Sequence, residues 1–308
     1  MDALQPKGAY SELSQLLMAR FISKDLRIPA RRRSQSSLAG ASRTKFRGRG
    51  MEFAEVRQYQ PGDDVRSIDW RVTARTQTPF TKLYSEEREK PTFFLIDQRA
   101  SMFFGSTLCF KSVFSAQLAS TLGWTAAESG DRIGGMIAHQ SGVEDIRPKG
   151  SQHAMLTLIN RLHARNQALS SPVAGADEKS LSALLSDCRR ALKPGSTLVI
   201  ISDFADWNDE CHKLVTLLAR HNDLLFFHIY DRLEQQLPNN SQLGINNGRE
   251  LVQLDPAKTQ ALAHCFQQRQ ASIEKSAQGL GVGYHLLECS TALTPWLQKH
   301  FGKLKRRG

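Results

Sequence analysis

The sequence predicts an α/β protein with a mainly parallel central sheet, preceded by a small β-containing element. From residue 91 onward, short apolar runs alternate with longer amphipathic stretches, which is typical of strands joined by helices. Residues 198–201 and 224–227 are apolar at every position, which indicates strands that are buried on both faces. Strands separated by helices favour parallel pairing through right-handed crossovers.

The chain before this α/β part divides into three predicted segments. Residues 1–30 contain an amphipathic helix, because apolar residues recur at three-to-four spacing over 10–22. Residues 31–50 are rich in Arg, Ser and Gly without periodicity, which predicts a basic, mobile loop. Residues 51–90 contain short strand-like pieces broken by a Pro-Gly turn, which predicts a small β element.

Residues 91–308 form the predicted α/β domain. Its strands are expected at 92–97, 132–138, 197–202, 224–230, 250–254 and 283–288. Its helices are expected at 110–128, 151–163, 179–192, 208–221, 256–278 and 292–304. The stretches 166–178 and 233–248 lack either period and are expected to be irregular loops.

Composition excludes several classes of protein. No apolar run approaches the roughly 20 residues that a membrane-spanning helix needs. The start of the chain lacks a basic n-region and an apolar h-region, so secretion is not expected. Five scattered cysteines without a C-x-x-C pair argue against a disulfide framework or structural zinc. Together these features predict a cytoplasmic protein without a membrane span.

The net charge of +11 is concentrated in two appendages. Residues 20–49 hold ten Lys or Arg against one acid, Asp25, and the tail from Lys299 adds further basic residues without an acid. Such blocks attract acidic proteins, anionic lipid or nucleic acid without choosing between them. The run 31–33 is therefore open to three interpretations: a solvated loop, a dock for an acidic partner, or a nucleic-acid contact. The last is not expected, because no interleaved aromatics are present to stack on bases.

Two strand ends carry the candidate site. One apolar run leads into Asp97, with Arg99 and Ser101 in the loop that follows, and a second leads into Asp203. Ligands of open α/β sheets bind outside the carboxyl ends of the strands. We therefore expect Asp97 and Asp203 to follow adjacent strands and to converge at one edge of the sheet.

Residues 46–105 resemble the signature of the bacterial "domain of unknown function 58" family. The identities that carry this resemblance are Asp63, Asp64, Arg66, Asp69, Trp70 and Arg75. Physically, Asp63 or Asp64 is placed to cap the segment that follows a Pro-Gly turn. Five charged residues are open to two interpretations, an ion-pair network that holds the fold or a surface on which a partner docks; they are Arg66, Asp69, Arg71, Arg75 and Glu86.

The second half of that family resembles a Rossmann-like von Willebrand factor A domain, and three places in residues 91–308 carry the likeness. They are the loop from Asp97 to Ser101, the turn at Gly130 and Asp131, and the strand end at Asp203. The resemblance implies a metal-ion-dependent adhesion site in which Asp97, Ser101 and Asp203 supply the hard oxygen ligands that Mg²⁺ prefers.

This chain departs from the adhesion-site pattern at two points. Arg99 replaces the first serine of the motif, and no Thr lies between Leu158 and Ser196, where a metal-site threonine is expected. A guanidinium cannot ligate a cation and stays charged, so an inward-facing Arg99 would neutralise Asp97 and Asp203 itself. The site is therefore predicted to be degenerate and empty, with Mg²⁺ disfavoured and no cofactor expected.

The function predicted from these features is a non-enzymatic interaction or adaptor protein. The family resemblance implies partnership with a MoxR-type AAA+ ATPase. Two alternatives stay open: a metal-dependent phosphoesterase or nuclease at Asp97 and Asp203, and a basic nucleic-acid-binding protein. Against catalysis, the histidines lack metal-ligand spacing, and no serine lies in a G-x-S-x-G elbow.

Overall fold

The computed structural model describes residues 5–28, 51–61, 63, 65–86, 91–150, 152–169, 178–236, 244–246, 251–253 and 256–303. The chain divides into two compact units, Arg32–Glu89 and a larger one made of Met1–Arg31 with Lys90–Gly308. The predicted basic loop at 31–50, the signature residue Asp64 and the last residues of the basic tail lie outside the described residues.

The secondary structure follows the predicted alternation. The helices are α1 (Leu13–Ser23), α2 (Trp70–Thr76), α3 (Lys111–Glu128), α4 (Gln152–Ala168), α5 (Leu181–Ala191), α6 (Asp209–Ala219), α7 (Arg232–Gln235), α8 (Pro256–Leu280) and α9 (Leu293–Phe301). The strands are β1 (Met51–Gln58), β2 (Phe80–Glu86), β3 (Pro91–Gln98), β4 (Arg132–His139), β5 (Gly142–Lys149), β6 (Thr197–Ser202), β7 (Asp223–Tyr230), β8 (Gly244–Asn246), β9 (Leu251–Gln253) and β10 (Gly283–Glu288).

The smaller unit is an antiparallel β1–β2 pair, and helix α2 lies in the chain segment that connects the two strands. The carboxylate of Asp69 caps α2 by accepting the backbone N–H groups of Arg71 and Val72, at 3.0 and 3.2 Å. Gln77 ends the helix in the left-handed conformation, with φ of 54°. The predicted β element is therefore present, and α2 within it is an addition that the sequence pattern did not predict.

The larger unit is built on a six-stranded sheet in the order β10-β7-β6-β3-β4-β5. All neighbouring strands are parallel except β4 and β5, which pair antiparallel at one edge. This order reverses between β3 and β6, as in doubly wound folds. The prediction of an α/β protein with a mainly parallel central sheet is thereby confirmed.

Helices cover both faces of this sheet, which explains its continuous apolar strands. Along β3, Phe94 and Ile96 pack into one core with residues of α1, α3, α4 and α9. Phe93 and Leu95 point to the opposite face and pack with residues of α5, α6 and α8. Each fully buried side chain of this size contributes roughly 1.5–3 kcal/mol to folding.

Two strand predictions differ from the structure. The predicted strand 250–254 does not join the central sheet, because Leu251–Gln253 pairs with β8 in a separate two-stranded sheet. The edge strand β5 was not predicted. Half of its residues are charged and it includes Pro148, and proline within a sheet is confined to edges and bulges.

Helix α1 belongs to the larger unit and is anchored there by its apolar face and by backbone pairing. Its buried residues pack in the core shared with α3; they are Leu16, Ala19 and Ile22. Beyond the helix, Arg27 N–H donates to the carbonyl of Phe301 over 2.7 Å, and Lys303 N–H donates to the carbonyl of Asp25 over 2.8 Å. Residues 25–27 and 301–303 are thus neighbours. Within the described part of the chain, no helix has the length and apolar character to cross a bilayer.

Candidate functional site

Two acidic side chains lie at the carboxyl edge of the central sheet. Asp97 lies near the end of β3, and Asp203 directly follows β6. Because β3 and β6 are adjacent and parallel, the two residues share the edge where open α/β folds bind ligands. The hydroxyl of Ser202 donates to Asp97 Oδ2 over 2.7 Å and links the two strand ends.

Arg99 turns its side chain inward and pairs with two carboxylates. Its Nη2 lies 2.8 Å from Asp97 Oδ2, and its two terminal nitrogens each lie 2.9 Å from an oxygen of Asp206. Burial on its own lowers the pKa of Arg99, but the charges and hydrogen bonds of Asp97 and Asp206 outweigh it and raise that pKa above its usual value. A fixed positive charge therefore occupies the centre of the loop after β3.

The same guanidinium joins three loops. Its Nη1 donates to the backbone carbonyl of Lys179 over 3.1 Å, just before α5. Asp206 also accepts the N–H of Leu181, at 2.6 Å, in the first turn of that helix. Next to Arg99, the N–H of Ala100 donates to Glu178 Oε1 over 2.8 Å. The loops after β3, before α5 and after β6 are consequently tied together at the sheet edge.

Lys111 is the second buried cation of the site. It begins α3, and its Nζ lies 2.8 Å from Asp203 Oδ2 and 2.7 Å from Glu234 Oε1. A cation is unfavourable both in the interior and at a helix N-terminus, so it needs these two carboxylates. Burial lowers the pKa of Lys111, but Asp203 and Glu234 outweigh it and raise that pKa.

The pKa of Asp203 is lowered, because its charged form is stabilised by the same ion pair with Lys111. Burial on its own raises the pKa of this carboxyl group, but the charge and hydrogen bond of Lys111 outweigh it. A hydrogen bond from Ser101 and the charge of Arg99 lower it further, so the pKa lies well below the usual range of an aspartate. Asp203 is therefore ionised at physiological pH, and the charge of Lys111 balances its negative charge inside the protein.

Asp231 lies in a fourth connection of the site, between β7 and α7. Its carboxylate accepts the N–H and the hydroxyl of Ser106, at 2.8 and 2.6 Å, and the N–H of Leu233 at 2.9 Å. Glu234 Oε2 accepts the N–H of Asp231 over 2.8 Å, which completes a capping box at the start of α7. Because β7 lies beside β6, this capping box holds Glu234 within reach of Lys111.

The turn after β6 is held in an uncommon backbone conformation. Phe204 has a φ of 49°, in the left-handed region, which costs a residue other than glycine about 1–3 kcal/mol. Its ring is fully buried among aromatic side chains, and its N–H donates to Ser202 Oγ over 3.0 Å. These contacts hold the turn in which Asp203 meets Lys111.

Side chains that commonly act as bases or nucleophiles are held neutral near this edge. Burial, with the charge of Arg269, lowers the pKa of His228 to about 3, and its Nδ1 lies 2.9 Å from the hydroxyl of Tyr284. Burial raises the pKa of Cys109 to about 12 and also raises that of Cys289. At neutral pH, the imidazole is a weak base and the thiols are protonated, which suits neither group to catalysis.

Comparison with known proteins identifies the family. A family model described as "Protein of unknown function DUF58" matches residues 55–275. The chain belongs to the DUF58 family. It is similar to Uncharacterized protein Rv1480 of Mycobacterium tuberculosis and Uncharacterized protein Mb1516 of Mycobacterium bovis, each 29% identical over 238 residues that cover 76% of this chain and 73% of the relative. Uncharacterized protein YeaD of Bacillus subtilis is 42% identical over 48 residues, which cover 16% of this chain and 12% of that protein.

In this DUF58 chain, the predicted site residues meet, but each acidic residue has its own cation. Arg99 was expected to neutralise both Asp97 and Asp203; it pairs with Asp97, whereas Lys111 pairs with Asp203. Ser101 is exposed, and its hydroxyl is a hydrogen-bond partner of Asp203. The predicted triad of oxygen-bearing side chains is therefore embedded in a network of ion pairs.

Sequence reasoning missed the partners that complete this network. They are Lys111, Glu178, Asp206, Asp231 and Glu234. For Lys111, a signal existed: it is the one charged residue of α3 before Glu128, in a helix that is otherwise buried along most of its length. A charged side chain is almost never fully buried unless it is paired, so its position indicates a hidden acidic partner.

The DUF58 signature residues lie in the smaller unit. The carboxylate of Asp63 accepts from Arg57 Nη2 over 2.7 Å and from the N–H of Gln60 over 3.0 Å. The predicted capping role belongs to Asp69, which begins α2. The side chains of Trp70, Arg66 and Arg75 are exposed. Asp64 lies outside the described residues, as does the side chain of Glu86, which was expected to contribute to the ion-pair network.

The donor set of the site does not fit a divalent cation. The described residues contain no group of three or more His, Cys, Asp or Glu side chains arranged to hold a metal ion. Arg99 and Lys111 already bring two positive charges to the oxygens of Asp97 and Asp203. A metal ion would have to displace both ion pairs to reach these oxygens.

Titration of Mg²⁺ or Mn²⁺ into the wild-type chain, followed by calorimetry, is expected to show no saturable binding below about 1 mM. A dication and a unit positive charge about 5 Å apart repel by roughly 6 kcal/mol at an effective dielectric near 20, which weakens binding by about four orders of magnitude. Arg99→Ser should restore only part of this affinity, because Lys111 stays on Asp203. Saturable wild-type binding that Asp97→Ala abolishes would contradict the expectation.

Proposed function

We propose that this DUF58 chain is a non-enzymatic interaction protein that works as an adaptor with a MoxR-type AAA+ ATPase. In this proposal, the larger unit is a von Willebrand factor A-type domain. It binds its partner at the carboxyl edge of the central sheet, where the family's metal site is expected, but without a metal ion. The observation that carries the proposal is the pairing of each central aspartate with a buried cation of the protein itself, Asp97 with Arg99 and Asp203 with Lys111. The choice of ATPase rests on the family resemblance.

The pairing favours binding over turnover for a physical reason. Hydrolysis at such an edge requires either a base that is free to accept a proton or a metal ion with an open coordination position. Asp97 and Asp203 have their charge matched by Arg99 and Lys111, and His228 is a weak, buried base. The fixed network instead holds four loops rigidly, which lowers the entropy that a partner's docking would cost.

The surface available to a partner at this edge is the outer side of the loop after β3. Ala100 and Ser101 are exposed there, and Leu108 further along the loop is 44% exposed. The N–H of Ala100 is fixed by Glu178 and the N–H of Ser106 by Asp231, so the loop is held at both ends. An exposed apolar side chain on a rigid loop can be buried by a partner without a large loss of entropy.

Affinity purification of the chain from its native cells, followed by mass spectrometry, tests the identity of the partner. A MoxR-type ATPase should be enriched and should then bind the purified chain directly. Leu108→Glu should weaken that binding at least tenfold, the effect of losing an interface residue worth about 1.4 kcal/mol. The matched control is Leu262→Glu on α8, since Leu262 is 42% exposed but lies on another element.

Three results would contradict the proposal. They are no enrichment of such an ATPase, equal binding by the Leu108 and Leu262 variants, and hydrolysis of a generic phosphodiester that Asp97→Ala abolishes. The last result would establish the phosphoesterase alternative instead. Duplex DNA binding with a steep salt dependence would favour the nucleic-acid alternative.

A further inference from the structure

Helix α1 carries apolar side chains on its outer face, away from the core. Leu17 is 36% exposed, Met18 46% and Phe21 70%. Residues four apart lie one turn apart on the same side of a helix, so these three form one continuous strip, here named the α1 ridge. The opposite face of α1 is buried in the core shared with α3, so the ridge is held rigidly at the protein surface.

Basic side chains surround the end of the α1 ridge. Lys24, Arg27 and Lys303 are exposed, and Lys303 Nζ donates to the carbonyl of Lys24. The acidic side chain among them is Asp25, which is also exposed. Arg20, within the helix, is paired with Glu128 and stacks on Trp124. The described surface beside the ridge therefore has an excess of positive charge.

The two most basic stretches of the sequence directly follow Ile28 and Lys303. The stretch after Ile28 contains seven Lys or Arg and no acid as far as Arg49, and the stretch after Lys303 contains a further Lys and two Arg. Because Arg27 N–H bonds the carbonyl of Phe301, the chain leaves the described structure at two neighbouring points.

We propose that the α1 ridge is a docking surface for an anionic lipid bilayer. A rigid apolar strip flanked by cations matches the boundary between acyl chains and acidic headgroups. Each basic residue near such a surface strengthens binding by about fivefold, and this contribution is lost beyond about a Debye length. The proposal does not depend on the function proposed for the sheet edge.

Other occupants fit this surface less well. A second copy of the chain would bring two strongly basic surfaces together, and like charges in contact oppose association. Duplex nucleic acid would contact the cations but gain little from Leu17, Met18 and Phe21, since its bases are stacked inside the duplex and its phosphates offer no apolar surface. A bilayer uses both the apolar and the basic parts of the surface.

Co-sedimentation with lipid vesicles tests the proposal. The full chain should bind vesicles of phosphatidylcholine mixed with phosphatidylglycerol and should bind pure phosphatidylcholine at least tenfold more weakly. Phe21→Glu should weaken binding to the mixed vesicles at least tenfold, because it replaces the largest apolar contact with a repelled carboxylate. Phe21→Leu, which keeps an apolar side chain, should retain most of the binding.

A matched pair of leucine substitutions controls for the added charge. Leu17→Glu lies on the ridge and should weaken vesicle binding, whereas Leu217→Glu on α6 should not, although Leu217 is 37% exposed, nearly the same fraction as Leu17. Circular dichroism and thermal melting would establish that each variant is folded. A wild-type chain that ignores the mixed vesicles would overturn the proposal, as would equal binding by the two leucine variants. DNA binding without vesicle binding, unchanged by Phe21→Glu, would identify nucleic acid as the occupant.

Discussion

Replacing Lys111 with methionine is expected to destabilise the larger unit by about 3–5 kcal/mol, the usual cost of removing one partner of a buried ion pair. The reason is that Asp203 would remain buried without a counter-charge, since both side chains are almost fully inaccessible. Glu234 is partly exposed and can be rehydrated, so it should contribute less. Urea denaturation, followed by tryptophan fluorescence and circular dichroism, measures the change in the free energy of unfolding.

A double substitution separates the loss of the charge pair from the loss of packing. Asp203→Asn in the Lys111→Met background should recover a substantial part of the stability, because it removes the orphaned charge. Lys213→Met on α6 is the matched control, since Lys213 is exposed, and it should change stability by less than about 0.5 kcal/mol. A Lys111→Met variant as stable as this control would show that Asp203 does not depend on Lys111.

Replacing Arg99 with methionine is the second large effect that we expect, again about 3–5 kcal/mol. Asp97 would lose its counter-charge in a buried position, and the three loops joined by the guanidinium would separate. The loss should therefore have a local signature. Hydrogen exchange should increase at 178–181 and 203–207 more than at the centres of β3 and β6, because these loops lose their common partner.

Arg99→Lys distinguishes charge from geometry. A lysine restores a positive charge but cannot bond Asp97 and both oxygens of Asp206 in the fork arrangement, so it should recover only part of the stability. Arg189→Met, at an exposed position in the last turn of α5, serves as the control. Unchanged exchange in the two loops of Arg99→Met would refute the crosslinking role of Arg99.

The central sheet was predictable because its strands carry their own signal. Each of β3, β6 and β7 contains four consecutive apolar residues and is buried on both faces, so the run of residues alone identifies these strands. β5 has no such signal, because it is a polar edge strand that exists through pairing with β4. The prediction for 250–254 failed in the other direction: a strand of the central sheet was expected there, but Leu251–Gln253 forms a strand outside that sheet.

The site was predictable only in part, for a topological reason. Asp97 and Asp203 follow apolar strands, so their place at the sheet edge could be read from local sequence. Lys111 and Glu234 are 123 positions apart and meet only because β7 lies beside β6, while α3 packs against the same sheet. Strand order and helix packing are properties of the whole chain, so no local pattern indicates this pair.

The pairing of residues 25–27 with 301–303 has a consequence for synthesis on the ribosome. Helix α1 emerges early, but the segment after it can pair with Phe301 and Lys303 only when those residues leave the exit tunnel. At translation speeds of roughly 5–20 residues per second, that interval lasts on the order of 15–60 seconds. During this time the segment after α1 lacks its backbone partners, so α1 is held only by the packing of its apolar face in the core shared with α3. Of the helices in the described part of the chain, α1 is made first, and it is among the last elements to be secured.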